Sequence, residues 1–599
     1  MATNNQLSDD LNDRLCLGVD SSVRGRKWTY RYDPNALEAY ASLTELPLLK
    51  AALLLGRGVA EDAVETFLNP TLKNSLPNPS DLQDADNAAG LILDHISAGK
   101  RVTLFSDYDV DGGTSAAQLI RWGRSLGYEF GLYVPDRVKE GYGPNEAAFD
   151  LLRQDDVDLI VTLDCGAAAY GALEHADKIG LPVIVVDHHL MDHTPPPALA
   201  LVNPNRKDDA SGQGHLAAAG VTFMLLVALH REARARGLSP KIDLKTLLGL
   251  TALGTICDVV PLRGVNRAIV KQGLKVLSAN QNMGVQALAD VASAEPPFTT
   301  YHAGFVLGPR INAGGRIGRA DMGAELLSTE DSQLAYAHAA ELDRVNQQRR
   351  QMQDRILSEA LDAAQQQSDD PIIIVAMPDW HPGIIGIVAG RLKDRFRKPS
   401  IVIGIDNDAV PPVAKGSGRS ISGVDLGGAL AAAKEEGLLE SGGGHEMAGG
   451  LTMSPDKIDD FRNFMSRRLA DDVAAALAND FTRLDSVLAL SAVGDDLMQT
   501  IETVGPYGAG NPQPIFAFAA VNVSFAKRTK GDHVRFTLSD GQGGSISGIC
   551  FRAGESGLDE ALLTAGPQRF HAIGQLKPNV WQGRTRIDFH LLDLAPVID

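Results

Sequence analysis

The chain has 599 residues, which is too long for a single hydrophobic core, so about three or four domains are expected. Hydrophobic residues make up 44% and charged residues 22% of the sequence, as in ordinary soluble globular proteins, and no apolar run is long enough to span a bilayer. The formal net charge of −19 argues against a uniformly basic surface for nucleic acid, although a local basic groove can coexist with an acidic exterior.

The cysteines and the first residues indicate the compartment. The four cysteines, Cys16, Cys165, Cys257 and Cys550, form no Cys-x-x-Cys pair, so a zinc site is not expected. Residues 1–13 are polar and acidic, which is not the pattern of a signal peptide. A reduced, cytoplasmic protein is the simplest interpretation.

The first half of the chain predicts an α/β domain behind an N-terminal extension. Residues 1–80 are mixed, with helical patterns over residues 46–55 and 60–67, and we expect this extension to pack on the core. Residues 81–300 alternate apolar runs with helical patterns, which is typical of a parallel sheet. The domain built on this sheet is expected to span residues 81–325.

A helix-forming segment separates this domain from the next. Residues 331–367 lack Gly and Pro and are rich in Ala, Gln, Glu, Arg and Leu, which predicts one long helix. Such a helix could form a dimerising coiled coil. Its polar tail and the α/β patterns on both sides favour a connector between domains instead, over residues 326–369.

Two further domains are expected after the connector. Residues 371–375 open a second α/β domain with glycine-rich turns, over residues 370–478. Short alternating strands then predict a small β-barrel over residues 479–599. The predicted strands of the barrel are residues 521–525, 533–538, 545–551, 569–573 and 586–592.

Carboxylates and histidines stand at four apolar runs of the first domain. They are Asp107, Asp109 and Asp111 after residues 102–105, Asp164 after residues 159–163, Asp187, His188 and His189 after residues 183–186, and Asp258 within residues 253–260. Short β-branched runs predict buried parallel strands, and ligands gather at the carboxyl ends of such strands. We therefore expect these side chains to meet at one edge of the sheet. Oxygen ligands with one imidazole suit Mg²⁺ or Mn²⁺, and a cluster this rich in carboxylates can hold two divalent metal ions.

The segment Asp107-Tyr108-Asp109-Val110-Asp111-Gly112 has two competing interpretations. It mimics the start of an EF-hand calcium loop, which needs a preceding helix and a bidentate Glu at its twelfth position. Here a predicted strand precedes the segment and the twelfth position is Gln118, which argues against the EF-hand. Capping of the following helix accounts for one of the three aspartates but not for all of them.

Basic segments further along the chain are candidate phosphate contacts. Arg310, Arg316 and Arg319 surround a glycine-rich turn, where the backbone can approach a ligand and arginine forks fit phosphate oxygens. Two other arginine-rich sets, within residues 344–355 and 391–398, are better explained as solvated helix faces.

Asp-His-His after a strand, with the upstream Asp-x-Asp and Asp164-Cys165-Gly166, resembles the DHH phosphoesterases. The resemblance runs from Phe67-Leu68-Asn69-Pro70 to the C-terminus and includes motifs of the family's single-strand-specific exonucleases. These motifs are Glu140-Gly141-Tyr142-Gly143, Gly308-Pro309-Arg310-Ile311-Asn312-Ala313, Trp380-His381-Pro382-Gly383-Ile384-Ile385-Gly386, Gly442-Gly443-Gly444-His445 and Gly505-Pro506-Tyr507-Gly508-Ala509-Gly510-Asn511-Pro512. The implied fold is multidomain α/β, with a DHH parallel-sheet domain and a DHHA1 α/β substrate-binding domain joined by the long helix, plus a C-terminal all-β OB-fold for nucleic acid.

The resemblance implies which residues hold the metal ions. Asp109 belongs to the first ion. Asp111, His188 and Asp258 belong to the second, and Asp164 bridges the two.

The neighbouring residues have other implied roles. Asp187 orients the imidazoles from behind the ligands, and His189 faces the substrate phosphate. Asp107 is implied to be the structural member of its segment. Phe105 stands where some relatives carry a histidine, so the first ion would be held mainly by Asp109 and Asp164.

For the substrate, the resemblance implies contacts from both α/β domains. In the first domain the candidates are Arg310, Asn312, Arg316 and Arg319. In the second they are Arg419, Ser420, Gly443, Gly444 and His445, where backbone N–H groups freed by glycine can cradle phosphate. Trp380 fits a stacking platform for nucleotides and the core equally well.

The barrel is expected to grip a single strand through basic and aromatic residues. The candidates are Lys527, Arg528, Lys530, Arg535, Phe536, Trp581, Arg584 and Arg586. For Phe536 and Phe589, a place in the barrel core is the preferred interpretation.

The activity implied by the resemblance is a single-stranded-DNA-specific 5′→3′ exonuclease of DNA recombination and repair. It would hydrolyse phosphodiester bonds with two Mn²⁺ or Mg²⁺ ions and release 5′-mononucleotides. Implied partners are a single-strand-binding protein and a RecQ-type helicase, and a monomer working on the nucleoid is favoured. Two alternatives remain: a phosphoesterase of short oligonucleotides or other small phosphate substrates, whose known forms lack a matching barrel, and a catalytically silent nucleic-acid scaffold, which loss of metal ligands would mark.

Overall fold

The computed structural model describes residues 14–137, 139–191, 194–279, 281–581 and 584–598, without the side chains of residues 580–585. Predictions about residues 1–13 and about the side chains of Trp581 and Arg584 therefore lie outside the described residues. The chain forms two compact units. The parallel-sheet unit consists of Asn69–Arg355 and Pro506–Asn511, and the barrel unit of Met1–Leu68, Ile356–Gly505 and Pro512–Asp599.

A five-stranded parallel sheet is the centre of the parallel-sheet unit. Its strands, in spatial order, are Gly131–Tyr133, Val102–Ser106, Leu159–Leu163, Val183–Val186 and Ala200–Val202. The middle three are buried along their whole length. Their last residues lie side by side, because Ser106 pairs with Leu163 and Leu163 with Val186. The segments after these strands leave the sheet at one edge, as predicted.

Helices cover both faces of this sheet. On one face, alternate strand residues pack against Ala85–Ser97 and Ala218–Ala235. On the other face, the remaining alternate residues pack against Glu146–Gln154 and Tyr170–Lys178. Burial on both faces explains why the strands read as continuous apolar runs. Other helices of this unit are Leu72–Ser75, Val110–Ser125, Leu248–Cys257, Gly264–Ser278, Met283–Val291, Gly308–Ile317 and Met322–Ser328, with a π-helical segment over His302–Leu307.

The prediction that strands and helices alternate up to residue 300 is wrong beyond Val202. The described residues from there to residue 300 form helices and turns but no further strand. The apolar run 253–260 is the end of the helix Leu248–Cys257, and Asp258 is the residue that follows it. All residues of this helix up to Thr255 are buried, and a helix buried on every side has the same continuous apolar pattern as a buried strand.

The long helix is confirmed with almost the predicted bounds. It runs over Ser332–Gln365. Its residues up to Arg355 belong to the parallel-sheet unit, and those from Ile356 onward belong to the barrel unit.

The barrel unit begins with the N-terminal extension. The strand Lys27–Tyr30 pairs in parallel with Phe481–Leu484. Trp28 is fully buried in a cluster with residues of the barrel, among them Ala517 and Ile573. The two predicted helical patterns are confirmed in the helices Leu48–Leu55 and Val64–Leu68, and a further helix spans Leu37–Thr44.

The second α/β domain contains a five-stranded mixed sheet. Its strands, in spatial order, are Ser441–His445, Ala448–Met453, Val413–Arg419, Ser400–Asp406 and Ile373–Pro378, and its helices are Pro382–Phe396, Leu426–Glu435 and Ile458–Ala478. Two glycine-rich segments that were predicted to be turns are strands instead, at Val413–Arg419 and Ser441–His445. Close packing explains the glycines, since a Cβ on Gly418 would lie 2.7 Å from the Leu426 side chain.

The last strands close into a five-stranded barrel, as predicted. They are Phe516–Thr529, His533–Ser539, Ser545–Cys550, Arg569–Trp581 and Arg584–Pro596. The first and fourth of these pair with each other, which closes the barrel in the manner of an OB-fold. Phe536 and Phe589 lie in the barrel core, as preferred. Shorter helices lie at Asp495–Val504 and Leu558–Leu563.

Two general features follow from the described residues. All four cysteines are free thiols. No helix in the described ranges combines the length and the apolar character that crossing a membrane requires.

Candidate metal centre

Backbone hydrogen bonds fix the three strand ends. The amides of Asp107, Asp164 and Asp187 donate to the carbonyls of Leu163, Val186 and Val202, at 3.1, 3.0 and 3.0 Å. Each bond extends the sheet by one residue beyond the strand. Asp164 has a φ of 62°, a left-handed conformation that is uncommon outside glycine and that concentrates at functional sites. The three carboxylates therefore start from fixed backbone positions.

Asp109 caps the helix Val110–Ser125. Its Oδ1 accepts hydrogen bonds from the amides of Asp111 and Gly112, at 2.8 and 3.2 Å. The capping aspartate is therefore Asp109, and the expectation that Asp107 is the structural member of the segment is wrong on this point. The buried strand before the segment also excludes the helix that an EF-hand needs.

The buried carboxylate of Asp111 lies at the N-terminus of a neighbouring helix. Its carboxylate oxygens accept from the amides of Ala218 and Ala219, at 2.6 and 2.8 Å, where Ala218–Ala235 begins. The helix Leu248–Cys257 comes close beside it. A Cβ on Gly254 would lie 2.7 Å from Asp111 Oδ1, so only glycine allows this approach. Because the helix packs so closely on Asp111, Asp258 at its C-terminal end lies within the site.

The structure brings the predicted ligands together, with Asp107 and His189 beside them, in three overlapping groups. The groups are Asp107 with Asp109 and Asp164, Asp111 with His188 and Asp258, and Asp164 with His188 and His189, with ligand atoms in each group within 4.8 Å of one another. His188 is central, since its Nε2 lies 3.3 Å from Asp164 Oδ1, 3.6 Å from Asp258 Oδ2 and 3.9 Å from Asp111 Oδ2.

Four buried polar atoms of these groups have no hydrogen-bond partner among the described residues. They are Asp107 Oδ1, Asp164 Oδ1, His188 Nε2 and Asp258 Oδ2. Buried polar groups in proteins are normally satisfied, and buried carboxylates without a partner are costly. A cluster of such oxygens around one imidazole nitrogen fits a hard divalent cation such as Mg²⁺ or Mn²⁺.

Burial and mutual repulsion raise the pKa values of the carboxylates. Burial, and then neighbouring aspartates, raise the pKa of Asp107, Asp111 and Asp164 well above their usual range. The same causes raise the pKa of Asp258 to about 7. Burial, and then the neighbouring His189, lower the pKa of His188 to about 4, so its imidazole is neutral and free to act as a ligand. The metal-free cluster therefore retains protons near neutral pH.

We expect metal binding to expel these protons. The apparent affinity for Mn²⁺ should rise with pH between about 6 and 8, by up to about tenfold per pH unit for each proton released. Titration calorimetry in two buffers of different ionisation enthalpy measures both the affinity and the number of protons. An affinity that does not change across this window, with no proton released, would contradict the carboxylate ligand set.

Asp187 and His189 form a second pair at the same edge. Asp187 Oδ1 accepts from the backbone amides of His188 and His189 and lies 2.7 Å from His189 Nδ1. Burial alone would raise the pKa of Asp187, but the hydrogen bond and charge of His189 lower it to about 2. Burial would lower the pKa of His189, but the same bond raises it overall. Asp187 therefore holds a His189 ring that favours the protonated form.

Tyr142 belongs to the site, although its motif in the sequence gave it no role there. Its hydroxyl donates to the carbonyl of Asp164 at 3.0 Å and lies 3.4 Å from His189 Nε2. Gly141 and Gly143, on either side, have φ of 88° and 75°, which the turn around Tyr142 requires. The spacing Gly-Tyr-Gly was the available signal.

Arg137 and Tyr108 were also missed. The Arg137 guanidinium lies 5.3 Å from the centre of the Tyr108 ring, and this ring meets Tyr142 edge to face. Tyr108 stands between two of the predicted aspartates, whereas Arg137 stands in no pattern that marks it in the sequence.

Phe105 contributes packing and no ligand. Its ring is fully buried and contacts Tyr133 and Phe149, with centroids 5.2 and 5.9 Å apart. Asp107, two residues later, instead places its carboxylate beside Asp109 and Asp164.

The four substrate candidates of the parallel-sheet unit differ in their surroundings. Arg316 is half-buried, and burial and then nearby arginines lower its pKa to about 10, so it stays charged close to Tyr108 and Asp109. Asn312 Oδ1 accepts from the amide of Val110 at 3.0 Å and so positions the capped helix.

The other two arginines already hold carboxylates. Arg310 donates to Asp343 at 2.9 Å, and Arg319 pairs with Asp321 and Glu325. No described contact joins Arg319 to the aspartates of the strand ends. The glycine-rich segment is the helix Gly308–Ile317 rather than the predicted turn.

The substrate candidates of the second α/β domain lie at one end of its sheet. His445 and Arg419 are both paired with Ala448, one from each side, so they stand in the same row of three strands. Gly443 and Gly444 precede His445 in its strand, and a Cβ on Gly444 would lie 2.3 Å from the carbonyl of Ala448.

Ser420 and Trp380 have internal partners. The Ser420 hydroxyl is buried and donates to the carbonyl of Val424 at 2.7 Å. The Trp380 ring is only 3% exposed, and its Nε1 donates to Glu359 at 2.7 Å. Of the two interpretations of Trp380, the core is therefore correct.

Comparison with known families matches three segments of the chain. Residues 101–255 match the DHH family, N-terminal domain, residues 351–471 match the DHHA1 domain, and residues 484–593 match the RecJ OB domain.

Individual relatives extend over almost the whole chain. The single-stranded-DNA-specific exonuclease RecJ of Bacillus subtilis (strain 168) is 32% identical over 573 residues, which cover 94% of this chain and 70% of the relative. The crystal structure of RecJ in complex with Mn²⁺ from Thermus thermophilus has a TM-score of 0.77 and 28% identity, covering 94% of this chain and 78% of that chain. The corresponding Mg²⁺ complex has a TM-score of 0.70 and 27% identity, covering 95% and 78%.

A parallel sheet that gathers carboxylates and Asp-His-His at its edge, followed by a DHHA1 domain, defines a member of the DHH family. The predicted fold class, with both α/β domains and the OB-fold in order, is confirmed. The chain belongs to the RecJ family.

Proposed function

We propose that this chain is a metal-dependent exodeoxyribonuclease that digests single-stranded DNA from the 5′ end and releases 5′-mononucleotides. The observation that carries the proposal is the cluster of ligand atoms at the aligned strand ends, four of them buried without a hydrogen-bond partner among the described residues. Family membership supports the substrate, since relatives are named single-stranded-DNA-specific exonucleases. The direction of digestion rests on the resemblance to that family.

We infer two ligand sets within the cluster. The first consists of Asp107, Asp109 and Asp164, and the second of Asp111, His188, Asp258 and the shared Asp164. Asp107 joins the first set because its Oδ1 is buried without a partner among the described residues, while Phe105 offers no donor atom. Solved structures of a RecJ relative contain Mn²⁺ or Mg²⁺, which supports the identity of the ions.

The residues around the ligand sets would perform the remaining work. Two divalent ions held by these ligand sets would neutralise phosphate charge, acidify a water molecule and stabilise the leaving oxygen. Protonated His189, held by Asp187, presents Nε2–H where it can donate to a phosphate oxygen. Tyr142 limits the swing of this ring. Arg316 adds a fixed positive charge close to Asp109.

We propose further phosphate contacts from the second α/β domain. Arg419 and His445 stand in one row beside the glycine strand, where the chain backbone is accessible. The remaining candidates would contact substrate only if it displaced their internal hydrogen-bond and ion-pair partners. They are Arg310, Asn312, Arg319 and Ser420.

The barrel presents a face suited to single strands. A groove of 320 Å³ on this face includes Phe525, Arg535, Phe551, Arg586 and His590. Phe525 and Phe551 are 52% and 53% exposed, which is unusual for phenylalanine in a monomeric fold. Aromatic rings with arginines beside them are the means by which OB-folds hold bases and phosphates. Small-substrate phosphoesterases have no need of such a face.

Removing the exposed rings should weaken strand binding. We expect Phe525→Ala and Phe551→Ala each to cost about 1–3 kcal/mol of binding to an oligothymidylate, because each variant removes the ring on which one base stacks. Cleavage of very short oligonucleotides should change little, since they offer few bases for stacking. Fluorescence anisotropy and a short-substrate assay measure the two effects. Leu563→Ala, which removes a 41% exposed apolar side chain elsewhere in the barrel region, is the matched control.

Point variants are preferable to deletion of the barrel. The N-terminal strand Lys27–Tyr30 pairs with Phe481–Leu484, and Trp28 is buried among barrel residues. Removing residues 480–599 would expose this core and confuse loss of binding with loss of fold. Equal loss for long and short substrates in the point variants would contradict the assigned role of the barrel face.

The proposal also covers the domain boundaries, the oligomeric state, the location and the partners of the protein. We propose domain boundaries at residues 1–80, 81–325, 326–369, 370–478 and 479–599, a monomer, and work in the cytoplasm on the nucleoid. A single-strand-binding protein and a RecQ-type helicase are the proposed partners, by resemblance to the family.

The proposed activity is tested by release of nucleotide from single-stranded DNA labelled at either end. With Mn²⁺, label should leave the 5′ end first, as mononucleotide. Tight strand binding without any release would indicate the silent scaffold instead. Cleavage only of very short oligonucleotides would indicate a small-substrate phosphoesterase.

A further inference from the structure

A second groove adjoins the aromatic face of the barrel. Its volume is 470 Å³, and it lies between the end of the long helix, the helix Pro382–Phe396 and the barrel. Four of its lining residues are arginines: Arg24, Arg391, Arg395 and Arg552. The carboxylates that line it, Asp394 and Glu555, are fewer, and Lys393 already pairs with Asp394 at 2.9 Å. The groove therefore has an excess of positive charge in a chain whose net charge is −19.

Two of these arginines form an ordered pair on one helix face. Arg391 and Arg395 are four residues apart, so their Cα atoms are separated by about 6 Å along the helix axis. Both are exposed, and their guanidinium groups contact no carboxylate among the described residues. Arg397, on the same helix end, is held by Asp480. The basic residues within 391–398 therefore do not form one solvated face, as was expected. Lys393 and Arg397 are paired with carboxylates, whereas Arg391 and Arg395 are available to a ligand.

Arg552 completes the cluster from the barrel side. Its backbone is left-handed, with φ of 49°, and its amide donates to His533 Nδ1 at 3.0 Å. This bond fixes the turn and leaves the exposed guanidinium to the groove.

An aromatic ridge connects the two grooves. Phe551 lines both of them. Its ring contacts His533 and His590, both edge to face, at centroid distances of 5.1 and 5.2 Å. A strand whose bases stack on the barrel face at Phe551 is thus brought directly to Arg552, Arg391 and Arg395.

We propose that this arginine groove binds the sugar-phosphate backbone of single-stranded nucleic acid beyond the barrel face. The inference rests on the proposed function and extends its DNA site by a separate element, built from the second α/β domain and the barrel together. Continuity with the stacking face favours a nucleic-acid strand over an acidic peptide, which would need only the charges. The groove increases affinity for strands long enough to pass the barrel.

The test is strand binding by the full chain carrying Arg391→Ala, Arg395→Ala and Arg552→Ala together. Fluorescence anisotropy is measured in a metal chelator, so that no digestion occurs, with oligothymidylates of about 6 and about 20 nucleotides, one within and one beyond the span of a single barrel. For the longer strand, the slope of log affinity against log salt should fall by about 0.7 for each phosphate that is no longer neutralised, or about 2 for the triple variant. The shorter strand should bind nearly as it does to the wild type.

Controls separate this inference from the proposed function. Arg468→Ala, on the exposed face of the helix Ile458–Ala478, should leave both affinities and both slopes unchanged. An unchanged slope in the triple variant would overturn the inference alone, and a groove that serves an acidic peptide would give that result. Equal weakening for both lengths would overturn it as well, because the arginines would then support the barrel itself. Failure of the wild type to bind either strand would overturn the proposed function, and the inference with it.

Discussion

Replacing Asp164 by asparagine should abolish hydrolysis while leaving the fold intact. Asp164 belongs to two of the three ligand groups, and its Oδ1 lies 3.3 Å from His188 Nε2, so its charge is shared by both proposed ion sites. Loss of one shared charge should remove several kcal/mol of transition-state stabilisation, which is about a thousandfold or more in kcat. The measurement is release of labelled mononucleotide from single-stranded DNA over a range of Mn²⁺ concentrations.

Thermal unfolding separates loss of the site from loss of the fold. In the metal-free protein the pKa of Asp164 is raised by burial and by Asp109 and Asp111, so its ionisation opposes folding. A group whose pKa is raised on folding supports the fold most below its unfolded pKa and loses that contribution as pH rises through the folded value. At pH 8 and without metal, Asp164→Asn should therefore unfold at the same temperature as the wild type or higher.

Addition of Mn²⁺ should reverse this order. The wild type should gain thermal stability on binding the ion, and the variant should gain little. Asp177→Asn, on an exposed helix position of the same unit, is the control and should behave as the wild type in every assay. Full turnover by a folded Asp164→Asn protein would refute the assignment of Asp164 as the shared ligand.

The second large effect is expected at His189. His189→Gln should lower kcat by about a hundredfold or more, the usual contribution of a positioned acid or base, while Mn²⁺ affinity is retained. Asp187→Asn should act through the same ring. Because the hydrogen bond with Asp187 raises the pKa of His189, its loss should remove the protonated form at lower pH. The alkaline limb of the kcat/KM profile should then move to lower pH.

A matched pair elsewhere provides the control. His175 and Asp150 form a contact of the same 2.7 Å length in the parallel-sheet unit, but apart from the strand ends. His175→Gln should leave the rate and its pH profile unchanged. If Asp187→Asn keeps the wild-type pH profile, then Asp187 does not set the protonation of His189. If His189→Gln loses Mn²⁺ binding instead of rate, then His189 is a metal ligand.

The positions of Asp107, Asp164 and Asp187 could be predicted from the sequence. Each follows a short β-branched apolar run, and such runs form buried parallel strands whose ends lie together. The barrel strands and the long helix were predictable for the same reason, since their patterns are local. Phe536 and Phe589 were expected in the barrel core and lie there, and burial alternates along the strand that contains Phe536.

Other parts of the site depend on contacts between distant segments. Asp258 was placed on a strand, because a helix buried on every side carries the same apolar run as a strand. Asp109 rather than Asp107 caps the following helix, which depends on the turn that joins strand and helix. Arg319 was assigned to phosphate, yet Asp321 and Glu325 hold it in the folded chain.

The roles of Tyr142 and Arg137 could not be predicted from the sequence for the same reason. Their contacts with His189 and Tyr108 are made by the segment after the strand Gly131–Tyr133, where Gly141 and Gly143 have positive φ. The sequence shows Gly141 and Gly143 but not that the turn they form places the Tyr142 ring beside His189.

The most direct test of the account is the position of Mn²⁺ in crystals of this protein, measured by anomalous diffraction at the manganese edge. Two peaks about 3.5–4 Å apart are expected, with Asp164 between them, Asp107 and Asp109 at one and Asp111, His188 and Asp258 at the other. Peaks at other residues, or a saturated site that does not include Asp164, would contradict it.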